Sequence, residues 1–426
     1  MKVIVVGGGW AGSGAAIAAR NAGAEVTVLE RADMLLGTGL VGGIMRNNGR
    51  FTAAEEMIAL GANEIFETID DNCRHKNIDF PGHKHASLYD IALIEPAIKK
   101  LLQRKGIEVR TQARMKDVEM DGKKVKAVIL DSGEKVEGDV FIDATGSAGP
   151  MANCGKYGNG CAMCALRCPT FGGRVSLVGK AGIPEKQGKK ADGTIGAMSG
   201  SCKLLKESLA TEIVEKLNKT GVAVVPIPEH LRKGEGALAK KACQQYALKE
   251  FNENVVLLDT GHAKLMSPFY PLDTLRQIPG FENARFEDPY SGGKGNSMRY
   301  MALAPRDNAL KVEGLENVFC GGEKAGLLVG HTEAIVTGTL AGHNAVRYFL
   351  GQELLVLPTQ LAVGDAIAHV REAMETEEGM CKKYTFSGSV YFVRMQELGL
   401  YLTDVAEIKA KVEKAGLTGV FAQKLM

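Results

Sequence analysis

Residues 2–31 constrain the fold of this chain more than any other stretch. Val3-Ile4-Val5-Val6 is a continuous apolar run, as a strand buried on both faces requires. It leads directly into Gly7-Gly8-Gly9-Trp10-Ala11-Gly12, then the helix-prone residues 15–20, Gly23, and a second apolar strand over 26–29 that closes at Glu30. This is G-x-G-x-x-G between a strand and a helix, with an acid at the tip of the next strand. Gly7 permits the tight turn, Gly9 lets backbone approach a pyrophosphate, and Gly12 lets the helix pack on the strand. The free N–H groups at the helix start attract phosphates. Glu30, followed by Arg31, can accept both ribose hydroxyls of an adenosine and would repel a 2′-phosphate. A lone glycine triplet reads as an ordinary turn. The complete unit reads as the site of an ADP-containing cofactor.

Length and charge set the outer limits. At 426 residues the chain suits two or three domains. A formal charge of +2 is not the basic footprint of a general nucleic-acid binder. The opening residues read as strand rather than signal peptide, and no apolar stretch approaches membrane-spanning length. With nine cysteines and no export signal, thiols or metal ligands are expected rather than a disulfide framework, in a cytoplasmic protein.

Along the chain, glycines at 37, 39, 42, 43 and 49 mark a loop that can lie close to a ligand. A helix is expected from an N-cap at Thr52 to Ile69, followed by a loop carrying His75, His83 and His85, to which no metal is assigned. Residues 89–105 have helical apolar spacing, with Pro96 as a kink or the true start. Short strands follow at 108–110, 115–120, 125–130 and 135–136, and the strand 140–142 ends in Asp143-Ala144-Thr145-Gly146. Further on, a strand is expected at 174–178, helices at 202–219 and 236–251, and a strand at 255–258. The tail reads as helices over 361–377, 387–398 and 403–415, a cap or an oligomer contact.

With these motifs in place, residues 2–149 resemble the FAD-dependent oxidoreductases of the glutathione-reductase-like superfamily. The distant Gly314-Leu-Glu-Asn-Val-Phe-Cys-Gly-Gly322-Glu323 is similar to that superfamily's second cofactor half-site, with Glu323 where Asp is usual. Gly330-His331-Thr332-Glu333-Ala334 and Gly338-Thr-Leu-Ala-Gly342 are similar to the GidA-type tRNA-modifying flavoproteins, as is Ile278-Pro-Gly-Phe-Glu-Asn-Ala284. The resemblance implies FAD held by Gly7, Gly9, Gly12, Glu30, Arg31, Met115, Thr145, Gly146, Gly322, Glu323, Thr332 and Ala334. It also implies a helix opening at 330–334 whose positive end faces the flavin pyrimidine. His331 is then the candidate for proton handling, and Glu333 a helix cap. The flavin-side loop of those enzymes carries a cysteine, whereas Thr38-Gly-Leu-Val-Gly-Gly-Ile-Met45 has none, and their long RNA-binding tail has no room here. Lys186, Lys189 and Lys190 form only a local basic cluster.

Cys154, Cys161, Cys164 and Cys168-Pro169 give C-x6-C-x2-C-x3-C-P, which resembles part of a bacterial ferredoxin run. An iron–sulfur cluster relaying electrons from the flavin leads; a zinc site and free thiols are the rivals.

The expected fold is α/β: a three-layer, Rossmann-like FAD domain from residues 1–50, 88–150 and 305–350, with a substrate domain at 151–304 and a helical unit at 351–426. The expected function is transfer of hydride or electrons between FAD and a small molecule, with an electron-transfer partner and a homo-oligomeric assembly. RNA modification of the GidA kind is the alternative.

Overall fold

The computed structural model describes residues 1–146, 175–195, 202–234, 246–266, 270–287 and 301–426, with the backbone of short strands at Ala197–Met198 and Met298–Arg299. The four cysteines 154, 161, 164 and 168 lie outside the described residues, and so does the expectation of a metal centre there.

The chain begins with strand β1 (Lys2–Val6), helix α1 (Trp10–Asn21) and strand β2 (Glu25–Leu29). A short helical turn α2 (Gly39–Gly42) and strand β3 (Ile44–Met45) precede helices α3 (Gly49–Ala59) and α4 (Asn63–Asp71). Strands β4 (Cys73–Phe80) and β5 (His83–Tyr89) lead to helix α5 (Ile94–Arg104) and strand β6 (Glu108–Arg110). A meander of β7 (Met115–Asp121), β8 (Lys124–Leu130) and β9 (Lys135–Glu137) follows, then β10 (Val140–Asp143). The middle region contains β11 (Cys202–Leu204), α6 (Thr211–Thr220), β12 (Val222–Pro226), β13 (Asn254–Asp259) and β14 (Ala263–Leu265). The chain then returns through β15 (Val318–Cys320) and the long helix α7 (His331–Phe349) to α8 (Ala362–Ala373), α9 (Ser389–Glu397) and α10 (Val405–Lys414).

A five-stranded sheet, ordered β15-β10-β1-β2-β6 and parallel throughout, is the centre of the molecule. Its middle strands are buried on both faces, which explains the unbroken Val3–Val6 run. Val5 faces α1, because a Cβ built on Gly12 would lie 3.3 Å from its Cγ1. Ile4, one residue on and therefore on the opposite face, meets the corner at Gly138 between the meander and β10. Helices, sheet and meander thus form the three layers. Helices α1 and α7 touch backbone to backbone: a Cβ on Gly338 would come 2.0 Å from the Ala11 carbonyl oxygen, and one on Gly342 would come 2.1 Å from that of Ala15.

The middle region builds a four-stranded antiparallel sheet, ordered β11-β14-β13-β12, with α6 over one face. Its other face packs Val256, Leu258 and Met266 against Phe80, Ala86 and Leu88 of the β4–β5 hairpin. Buried Asp259 marks this seam, accepting hydrogen bonds from Arg74 (3.1 Å) and Lys206 (2.6 Å) and facing His75 Nε2 at 2.9 Å. Burial would raise its carboxyl, but Lys206 and His75 outweigh that and hold it below the usual range. Glu56 of α3 ties down the C-terminal helices. Its two oxygens accept the Ala362 and Val363 N–H groups (2.9 and 3.0 Å), orphan donors at the start of α8.

Several elements differ from expectation. The helix predicted from Thr52 to Ile69 is two helices, parted where Gly61 adopts φ +96°. His75, His83 and His85 lie on β4 and β5 rather than in a loop. The helix over 89–105 begins only at Ile94, with Pro96 in its first turn, where the missing N–H costs nothing. Of the predicted helix 202–219, the first part is strand β11, because Leu204 faces the core of the second sheet. Around 174–178 the described residues form a helical turn, Leu177–Lys180, capped by the Ser176 hydroxyl.

Candidate functional site

Four remote segments meet where the glycine motif opens α1. A Cβ on Gly7 would lie 2.3 Å from the Ala144 oxygen, so the motif's first turn rests on the end of β10. A Cβ on Gly322 would lie 2.9 Å from that of Ala11 and 3.8 Å from that of Ala334, which joins the turn after β15 to the starts of α1 and α7. Gly322 N–H also donates to Thr337 Oγ1 of α7 at 2.8 Å. The structure therefore brings to one junction the segments that carry Gly7, Gly9, Gly12, Thr145, Gly146, Gly322, Glu323, Thr332 and Ala334. Glu30 and Arg31 end the neighbouring strand, and the chain leading to buried Met115 runs beside them, with Ala113 N–H donating to the Glu30 carbonyl at 2.9 Å.

This junction fits the nucleotide half of FAD. Among the described residues, helix α1 has no side-chain cap at its N-terminus, and a Cβ on Gly9 would meet nothing within 4 Å. Uncapped N–H groups beneath open space form an anion cradle. The nearly buried Glu30 carboxylate accepts Gly8 N–H at 2.8 Å and Ala32 N–H at 2.9 Å. Each oxygen keeps a lone pair for a hydroxyl. Thr145 contributes less freely, since its hydroxyl donates to Asp143 at 2.7 Å within its own turn. Asp143 Oδ2 also accepts Val178 N–H at 3.0 Å, and next to it buried Lys324 pairs with Glu185 and with the Ser176 hydroxyl. These groups hold the ends of β10 and β15 rigid.

At the start of α7, His331 belongs to an aromatic cluster. Tyr89 Oη lies 3.1 Å from His331 Nδ1 and 2.5 Å from the Gly39 carbonyl, and Trp10 packs against both rings. A phenol has one proton, and the short contact to a carbonyl requires it. Nδ1 then carries a hydrogen donated to the Tyr89 oxygen, leaving Nε2 as the basic nitrogen. Burial pushes the Tyr89 phenol well above its ordinary range, so it stays protonated. The His331 ring rests on Gly42, where a Cβ would be 1.6 Å from Cε1.

Glu333 does not cap its helix. Its fully buried carboxylate pairs with Arg50 Nε at 3.1 Å and accepts the Thr385 hydroxyl (2.7 Å) and Phe386 N–H (2.9 Å). It is an anchor between α3, α7 and the tail, and the N-terminus of α7 keeps no side-chain cap. The predicted basic cluster is largely neutralised, with Lys186 paired to Glu375 and Lys189 to Glu377. Burial pushes the thiols of Cys73 and Cys320 up to about 12, so neither is a ready nucleophile. Sequence reasoning missed Trp10, Tyr89, Arg50 and Lys264 as parts of this region. Only Trp10 carried a signal, as a large ring inside the glycine motif.

The chain matches the family model described as FAD dependent oxidoreductase over residues 2–156 and that of glucose inhibited division protein A over residues 238–353. It is 36% identical over 98 residues to a methylenetetrahydrofolate–tRNA-(uracil-5-)-methyltransferase of Streptococcus sanguinis, a match covering 23% of this chain and 21% of that protein. It is 38% identical over 85 residues to a tRNA uridine 5-carboxymethylaminomethyl modification enzyme of Chlorobaculum tepidum, covering 20% of this chain and 13% of that protein. The matches thus span about a fifth or less of these relatives. In overall structure the chain is similar to GidA of Aquifex aeolicus, with a TM-score of 0.62 at 15% identity over 97% of this chain and 76% of that one. Fold, junction and matched segments agree: this chain is similar to the GidA-type FAD flavoproteins, in two matched segments and in its overall fold.

Proposed function

We propose that this protein is an FAD-dependent enzyme acting on RNA, with a tRNA base as the reacting group. The observation that carries the flavin part is the convergence of the glycine motif, the end of β10, the turn at Gly322 and the uncapped start of α7 on one open junction. The RNA part is supported by the two tRNA-modifying relatives and by the fold shared with GidA. It replaces the small-molecule oxidoreductase as the preferred reading. That reading keeps one observation in its favour, the absence of cysteine from residues 38–45.

Bound FAD would supply hydride or electron transfer. The chain's own residues have separable tasks. Glu30 and the start of α1 bind the nucleotide end. The start of α7 presents backbone N–H groups and a positive dipole, which stabilise negative charge near them. His331 Nε2 can take or return a proton, with Tyr89 and the Gly39 carbonyl fixing the ring's tautomer. No described helix is long and apolar enough to cross a membrane.

The test begins with anaerobically purified protein, whose absorption spectrum reports flavin and any iron–sulfur centre. Nucleoside mass spectrometry of tRNA from cells with and without the gene then reports the substrate. A flavin-loaded protein whose loss changes no tRNA nucleoside, and which neither binds nor modifies unmodified tRNA, would return the small-molecule reading to first place.

A further inference from the structure

Strand β14 places an unusual side chain at the edge of this site. Its neighbours Ala263 and Leu265 face the core under α6, so Lys264 points to the opposite side, beside Leu258 and toward β3 and β5. Lys264 is 4% exposed, and its ammonium donates to the Val41 carbonyl at 2.6 Å. Lysine is seldom buried to this extent without a specific partner, and an apolar side chain would fill the position at less cost. Val41 O is among the last carbonyls of α2, which have no acceptor role inside so short a helix. A cation there satisfies an orphan acceptor and complements the negative end of the turn.

The clamped segment is the one that touches His331. Its Gly42 supports the imidazole, its Gly39 carbonyl accepts the Tyr89 O–H, and its Gly43 carbonyl accepts Tyr89 N–H at 3.0 Å. On the far side, Gly43 has φ +81°, and a Cβ there would lie 2.4 Å from Thr260 Cγ2 in the β13–β14 turn. Residues 39–43 are thus gripped between Tyr89 and His331 on one side and Thr260 and Lys264 on the other. One grip belongs to the flavin-binding part of the molecule and the other to the inserted sheet.

We propose that Lys264 is a positioning residue that holds the flavin-side loop in the one arrangement compatible with the Tyr89–His331 pair, and so sets the environment of the bound flavin from the inserted sheet. The proposal rests on the flavoprotein reading above.

The experiment compares wild type, Lys264→Met and Lys264→Arg for FAD content, flavin absorption and circular dichroism, and reduction potential. All three are expected to bind FAD, because Gly7, Gly9, Gly12 and Glu30 are untouched. Lys264→Met should shift the flavin redox equilibrium about tenfold, about 30 mV for a two-electron couple, with an altered flavin dichroism. Lys264→Arg keeps the charge and the donor and should restore most of the wild-type values. If Lys264→Met does not accumulate, Gly43→Ala disturbs the same grip from the loop side and should shift the potential comparably. FAD-loaded Lys264→Met, or failing that Gly43→Ala, with wild-type potential and dichroism overturns the proposal. Wild-type protein that takes up no FAD would instead remove the flavoprotein reading, and the clamp's role with it.

Discussion

Gly338→Ala and Gly342→Ala test the claim that α1 and α7 must touch through their backbones. On propensity alone, each change should help α7 by about 1 kcal/mol, since alanine is the better helix former. The packing argues the other way. The new methyl carbons would sit 2.0 and 2.1 Å from the Ala11 and Ala15 carbonyl oxygens. A carbon–oxygen contact relaxes at about 3.3 Å, so the helices must part by more than about 1 Å. Neither obstacle is a side chain that could rotate away. Overpacking of this kind costs about 1–3 kcal/mol, and at a backbone contact the upper end applies. The net expectation is a loss of about 1–2 kcal/mol per substitution, or about 1–2 °C in melting temperature for a chain of 426 residues that unfolds as one unit. FAD affinity should fall with it, because the starts of both helices border the same junction. Gly14→Ala is the control: its Cβ would meet Ile335 O and Thr339 Oγ1 at 3.1 Å, a gap that small adjustments can relieve. Thermal unfolding with and without FAD, together with fluorescence titration of FAD, reads both effects. If Gly342→Ala melts at or above wild type with unchanged FAD affinity, the close-contact reasoning is wrong.

Three further outcomes follow from other parts of the molecule. Glu30→Ala should weaken FAD binding by about 2–3 kcal/mol, the scale of a charge-assisted pair of hydrogen bonds; equal affinity by titration would remove Glu30 from the site. Glu333→Gln should cost about 3 kcal/mol in urea unfolding, because it takes the carboxylate from a buried guanidinium, that of Arg50; a loss below about 1 kcal/mol would mean that the pair is not an anchor. Burial raises Glu56 from 4.5 to about 7, against the pull of the Val363 and Ala362 N–H groups and Lys411. Its protonated form is therefore favoured by folding. That contribution is complete below pH 4.5 and lost as pH rises through about 7, about 3 kcal/mol in all. Unfolding free energies across this window should slope downward in wild type and flatten in Glu56→Gln.

The sequence was most legible where one residue type answers one physical need. Glycine at 7, 9 and 12, a strand buried on both faces and an acid at the next strand tip admit few structures, and the parallel sheet appears as read. Legibility failed where periodicity served two masters. Apolar residues continue at helical spacing through 52–69 because α3 and α4 both bury one face, and only the conformation of Gly61 separates them. The β4–β5 hairpin hid its strands because β4 is mostly exposed and its pairing slips at several points. At the site, motifs pointed to the segments that meet at the start of α1, but the Tyr89–His331 contact joins positions 242 residues apart and leaves no local pattern. The same holds for Glu333, whose capping role looked natural from its place in the first turn and yielded to Arg50 across the core.

The edge strand β15 has a consequence for how the protein comes into being. Glu30 and the glycine motif are made well before β15 and α7, which complete their surroundings and follow about 300 residues later. At about 5–20 residues per second, the ribosome needs roughly 15–60 seconds to supply them. During that interval β10 has a bare edge, α1 lacks the helix it packs against, and Gly7 to Gly12 lie at half of the junction. Such long-range pairing is slow to form and leaves apolar strand edges exposed while it waits. A cofactor that needs both halves of this junction can therefore secure the fold only after α7 has been made.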